Sequence, residues 1–89
     1  MQDIGEIIEE LAQRKRSIRF REMEKLLRSL GFAVRQQKRG GSHYVFKHPS
    51  VDTITVLVTH GKNDILPEYQ ALKAIHAMER LKEFKERKQ

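Results

Sequence analysis

Two hydrophobic periods divide this chain, and the switch between them marks out its elements. Ile4, Ile7, Ile8 and Leu11 stand at i, i+3, i+4 and i+7, the spacing that gathers side chains on one helical face. It predicts a helix over residues 3–15. Asp3 is placed to cap that helix, with Glu6 three residues on in the manner of a capping box. Arg14, Lys15 and Arg16 bring positive charge to the end where the helix dipole favours it. Residues 17–20 read as a short connector. Met23, Leu26, Leu27 and Leu30 then repeat the spacing and predict a second helix over residues 21–30. Gly31 suits its C-terminal cap because it takes positive φ without a Cβ clash, and Phe32 folds back onto the last turn.

After Gly31 the period shortens. Residues 32–38 are strand-like, residues 39–42 make a turn, and residues 44–48 form a second strand. A second turn covers 48–52. Residues 53–59 are the clearest strand, rich in β-branched side chains. A polar loop, 60–64, leads to a last helix opening at Pro67 or Glu68, where proline suits the first turn. Tyr69, Leu72, Ile75, His76 and residues 78–81 give its apolar face, on which His76 reads as structural. From Lys82 the chain is nearly all charge and is expected to fray.

The predicted order is α-α-β-β-β-α. Three short antiparallel strands with helices before and after imply an α+β fold, the helices covering one face of the sheet and the other face open to solvent. Side chains alternate across a strand. Tyr44, Phe46 and His48 share one face of the second strand, and His43, Val45 and Lys47 share the other. Phe46 is the better core residue and Lys47 the better surface residue, so His43 is expected on the open face with Lys47. In the third strand Ile54, Val56 and Val58 are expected inward, with Thr55, Leu57 and Thr59 on the open face.

Charge and composition narrow the partners. Lys and Arg number 18 and Asp and Glu 12, a net charge of +6, with a pI near 9.9. That balance favours a polyanionic partner, whether nucleic acid, anionic membrane or acidic protein, although basic residues also serve simply to keep a small domain soluble. Eighty-nine residues hold one core and not two. The absence of cysteine rules out disulfides and thiolate zinc sites and is compatible with a reducing cytosol. The first residues show no basic and apolar signal pattern, and no apolar run is long enough to cross a bilayer. A cytoplasmic protein without a membrane partner is the expectation.

The segment 39–48, Arg-Gly-Gly-Ser-His-Tyr-Val-Phe-Lys-His, carries the candidate chemistry. Glycines let a backbone turn tightly and approach a phosphate closely. A histidine just beyond such a turn can give or take a proton near neutral pH. The plainer reading is an ordinary hairpin turn followed by a surface histidine. Ser42 can orient His43 or contact phosphate, yet a serine in a turn needs no function. His48 and His60 flank the third strand and, with His43, could be called a metal site, but no His-x-x-x-His pair or carboxylate cluster supports one. No metal or cofactor is expected.

A helix-covered sheet with an open face and a Gly-rich turn resembles the double-stranded-RNA-binding fold. A closer resemblance lies in the residues: Arg19-Phe20, Leu26-Leu27, Leu30-Gly31-Phe32, Gly41-Ser42-His43-Tyr44-Val45-Phe46, then a β-rich strand and a His-Gly-Lys loop. In this order they resemble the HicA family of toxins, small mRNA interferases of toxin–antitoxin modules, over roughly residues 19–81. Two departures stand out. The helix over residues 3–15 is an addition, many family members being shorter, so residues 1–16 are set apart from a domain at 17–89. The segment Pro67-Glu68-Tyr69-Gln70-Ala71-Leu72 replaces a Pro-Gly-Thr-Leu-like opening of the last helix.

The resemblance implies that His43 is the catalytic histidine, and that mRNA and a HicB-type antitoxin are the partners. Cleaving RNA without a metal needs a base for the ribose 2′-OH, an acid for the leaving 5′-oxygen and charge to stabilise the transition state. Lys47 and an arginine of the 35–39 run can hold the phosphate, as can backbone N–H groups near Gly40 and Gly41. The expected RNA-binding set is therefore Arg35, Lys38, Arg39, Gly41, Ser42 and Lys47. The antitoxin is expected to cover His43 with acidic residues opposite Lys47 and the 35–39 segment. The alternatives are a non-catalytic RNA-binding domain using the same face, and an interaction module built on the amino-terminal helix.

Overall fold

A computed structural model of the chain describes residues 3–37, 42–59 and 64–87, at positions 37, 42, 52–54, 58 and 59 for the backbone alone. The order is α1 (Ile4–Gln13), α2 (Phe20–Ser29), β1 (Ala33–Gln37), β2 (Ser42–His48), β3 (Val51–Thr59) and α3 (Glu68–Arg87). The strands form one antiparallel sheet in the order β1-β2-β3. This is the expected α+β arrangement. The expected turn at 48–52 shrinks to Pro49 and Ser50, and α3 stays helical through the charged tail to Arg87.

Both helix ends foreseen in the sequence close as their residues dictate. The Asp3 carboxylate accepts from the Glu6 N–H at 2.9 Å and caps α1. At the end of α2 the Phe32 N–H donates to the Leu27 carbonyl and the Gly31 N–H to that of Arg28, both at 3.0 Å. These are the paired bonds of a Schellman cap, with Gly31 at φ +97°. The basic cluster lies just past α1 instead of within its last turn, and there it ties elements together. Arg14 donates from Nη1 to Glu22 Oε1 of α2 at 2.9 Å, and its Nη2 bonds both Glu22 and Glu10. Arg16 reaches Glu68 at the start of α3, at 2.8 Å. The bond from Arg14 holds the Glu22 carboxyl below its usual range.

Buried side chains from all three helices and the sheet make one core. Ile7 and Leu11 of α1 enter it, with Ile4 and Ile8 half-buried against it. The apolar stripe of α1 is thus packed on the domain, chiefly against α3. Ile18 and Phe20, expected in a plain connector, are completely buried. The Phe20 N–H donates to the Asp64 carbonyl at 2.9 Å and the Leu66 N–H to that of Ile18 at 2.8 Å. The connector and the segment before α3 therefore clasp each other across an Arg19–Ile65 bridge.

Two expectations about faces are corrected. In β3, Thr55 and Leu57 are buried, at 2% and 0% exposure, while Val56 is only half-buried. The register decides this: Phe46 lies opposite Thr55 and Tyr44 opposite Leu57, and directly opposed residues share a face. Both faces of β3 carry β-branched or apolar residues, so composition cannot choose between them. The side chains of Ile54, Val58 and Thr59 lie outside the described residues. In α3 the buried face is Gln70, Ala71, Ala74, Ile75, Ala77, Met78 and Leu81. Tyr69 is 61% exposed and His76 is exposed too, so His76 is not a core histidine. Small alanines, not the larger residues at 69 and 76, let α3 lie close on the sheet.

Gly31 fixes a further feature. A Cβ at this position would stand 3.0 Å from His48 Nε2. Replacing Gly31 by Ala is expected to cost about 2 kcal/mol, from positive φ and the crowded imidazole together. Urea unfolding measures it, and a cost below about 0.5 kcal/mol would show that the cap tolerates a side chain.

Candidate nucleic-acid interface

The second strand is pinned from one side. Tyr44 and Phe46 turn inward onto Phe20, with ring centroids 4.6 and 6.3 Å away. Alternation along the strand then sends His43, Val45 and Lys47 to the opposite face. His43 and Val45 are half-buried there and Lys47 is exposed. This agrees with the sequence expectation for β2.

Register places the neighbours in rows across the sheet. Gln37, His43 and Val58 form one row, Arg35, Val45 and Val56 the next, and Ala33, Lys47 and Ile54 the third. Arg35 is exposed and lies diagonally from His43 and equally from Lys47, a separation of about 7–8 Å between backbones. His43 and Lys47 are four residues apart along one strand, about 13 Å. Arg35 is therefore the described cation best placed to share a phosphate with the imidazole, and Lys47 reaches a neighbouring one. The sequence put Lys47 beside His43; only the register shows Arg35 between them.

Of the other expected contacts, Ser42 opens β2 as the neighbour of His43 and pairs in register with Thr59. Lys38, Arg39, Gly40 and Gly41 lie outside the described residues, as does His60. His48, five residues beyond His43, belongs to the other face and to the framework. Its Nδ1 accepts from the Ser50 N–H at 3.0 Å, which leaves the proton on Nε2, donated to the Leu30 carbonyl at 3.1 Å. Its ring meets Phe32 edge-on at 5.1 Å. Both nitrogens are thus committed to the backbone. Among the described residues no group of three or more His, Cys, Asp or Glu side chains comes together to hold a metal, and no helix is long and apolar enough to cross a membrane.

Comparison with known proteins gives one family. Residues 20–83 match the model described as HicA toxin of bacterial toxin-antitoxin. The matched stretch runs from the first residue of α2 through most of α3, includes every row of the open sheet face, and leaves α1 outside. No curated protein and no solved structure matches the chain.

Proposed function

The chain belongs to the HicA toxin family of bacterial toxin–antitoxin systems, and on that footing we propose that it is an endoribonuclease acting on mRNA through His43. The observation that carries the reading is the open sheet face, where a half-buried histidine stands diagonal to an exposed arginine, on strands whose other face is locked into the core. His43 takes the proton of a ribose 2′-OH. The oxygen attacks the adjacent phosphorus, the bond to the 5′-oxygen breaks, and that oxygen takes up a proton from His43 or water. Arg35 offsets the charge that builds on the phosphate oxygens. Lys47 holds the next phosphate, and Lys38, Arg39, Gly41 and Ser42 are the further RNA contacts this reading carries over from the sequence. A single histidine supporting both proton transfers makes a slow enzyme compared with a paired acid and base.

A HicB-type antitoxin silences this face by laying acidic residues over His43, Arg35 and Lys47. The second reading, an RNA-binding domain without catalysis, rests on the same face and differs only in what His43 does.

Incubating the purified chain with single-stranded RNA in EDTA tests the proposal. Cleavage is expected to proceed, leaving 2′,3′-cyclic phosphate or 3′-phosphate ends. Activity that disappears in chelator and returns with a divalent ion would replace this mechanism by a metal-assisted one. RNA bound but uncut under all conditions would favour the non-catalytic reading.

A further inference from the structure

The helical side of the molecule carries a groove that the sheet-face chemistry does not use. It follows α2, and along part of its length α1 forms the facing wall. Three depressions lie along it, of about 390, 150 and 540 Å³. Leu26 borders all three; the first lies on α2 and its N-cap, and the other two lie between α1 and α2. Ile4, Leu26 and Leu30 are half-buried and give the largest depression an apolar floor, while in the smallest Glu10 and Glu22 stand over the buried Ile7 and Leu11. One wall comes from α1, which precedes the family match at residue 20.

Its rim has a definite sign. Arg21, Lys25 and Lys85 are exposed at its edge, and none of them meets an acidic partner among the described residues. The acids there are already engaged. Arg14 bonds both Glu10 and Glu22, and the Asp3 carboxylate caps α1. Free positive charge therefore borders an apolar floor.

We propose that this groove receives an acidic amphipathic helix of the antitoxin, as a second contact separate from the sheet face; the inference rests on the toxin reading above. The dimensions fit. The ten residues of α2 span about 15 Å, close to three helical turns of the occupant. Apolar side chains at i and i+7 of the incoming helix fill the two larger depressions, at either end of the Glu10 and Glu22 pair. Asp or Glu on its flanks meets Arg21, Lys25 and Lys85. A nucleic acid suits the cations but gains nothing from the Ile and Leu floor. A second copy of this chain would bring the same positive rim and be repelled.

The test uses the chain with His43→Ala, which permits production, and the protein encoded by the adjacent reading frame. Calorimetry gives the affinity at physiological salt. Arg21→Glu with Lys25→Glu is expected to weaken the complex about tenfold or more, and Leu26→Asp by a similar factor. Lys73→Glu, an equal kind of charge change on the exposed side of α3, is expected to leave it unchanged. The charge-reversal pair lies wholly at exposed positions, so a thermal melt matching the parent shows that folding is not the cause. Undiminished affinity in the groove variants would overturn the proposal, as would an equal loss in Lys73→Glu. If only Lys47→Glu weakens the complex, the antitoxin uses the sheet face alone and the groove proposal falls while the toxin reading stands. No complex with any form would overturn the antitoxin part of both, leaving RNA cleavage by the uncomplexed chain to be judged separately. That cleavage is expected to survive Arg21→Glu with Lys25→Glu.

Discussion

Replacing His43 by Ala is expected to remove growth arrest while the fold stays stable. The imidazole sits half-buried on the open face, and its side chain makes no hydrogen bond or ion pair among the described residues. Truncating a half-buried side chain that breaks no cap, network or core contact costs about 1 kcal/mol or less. Loss of a positioned acid or base, by contrast, slows a proton-transfer step by about 10²- to 10⁴-fold. Cell counts after induction, RNA cleavage by the purified protein and a thermal melt together separate the two effects. The expected pattern is normal growth, cleavage reduced a hundredfold or more, and a melting temperature lowered by no more than about 6 °C. Equal toxicity of the two forms would take His43 out of the mechanism. A large drop in melting temperature would mean that the residue is structural after all.

Replacing His48 by Ala does the reverse. His48 is 9% exposed, and its ring joins three parts of the framework: the Leu30 carbonyl at the end of α2, the Ser50 N–H in the β2–β3 turn, and the Phe32 ring. Removing it leaves a carbonyl and an N–H without their partner and opens a gap beside Phe32. Each orphaned group costs about 1–3 kcal/mol when buried. We expect about 3 kcal/mol in total, a fall of roughly 15 °C in melting temperature for a domain of this size. Set against a typical reserve of about 5–15 kcal/mol, this is a severe loss. Growth arrest is expected to persist at a temperature where the variant stays folded, because the sheet face is untouched. A shift under about 3 °C would show that the backbone finds water or another partner in place of the ring.

The two histidines share a strand and look alike in the sequence. Parity separates them: residues 43 and 48 are an odd number apart, so alternation sends them to opposite faces. That much was legible once Phe46 was recognised as the inward residue. The detailed role of His48 was not, because its partners, Leu30 and Ser50, come from a helix end and a turn whose approach no local pattern encodes.

Local chemistry carried the rest of what the chain alone could say. Helical spacing, Asp3 as a cap, Gly31 as a stop and the β-branched run after residue 50 dictated the elements and their order, since each depends on neighbours within a few residues. The ordered Leu30-Gly31-Phe32 and Gly41-Ser42-His43 segments pointed to the family that the later match at 20–83 bears out. Relations between distant elements were decided elsewhere. Only the pairing of Phe46 with Thr55 shows which face of β3 is buried, because a strand apolar on both sides has no preference of its own. Only register sets Arg35 diagonal to His43. Only the packing of α3 on the sheet chooses alanines over Tyr69 and His76 for its inner face, since helix burial follows the shape it must fit as well as hydrophobicity. The groove beside Leu26 likewise exists because α1 and α2 both lie against α3, a meeting of segments that hydrophobic periodicity predicts one at a time but cannot place side by side.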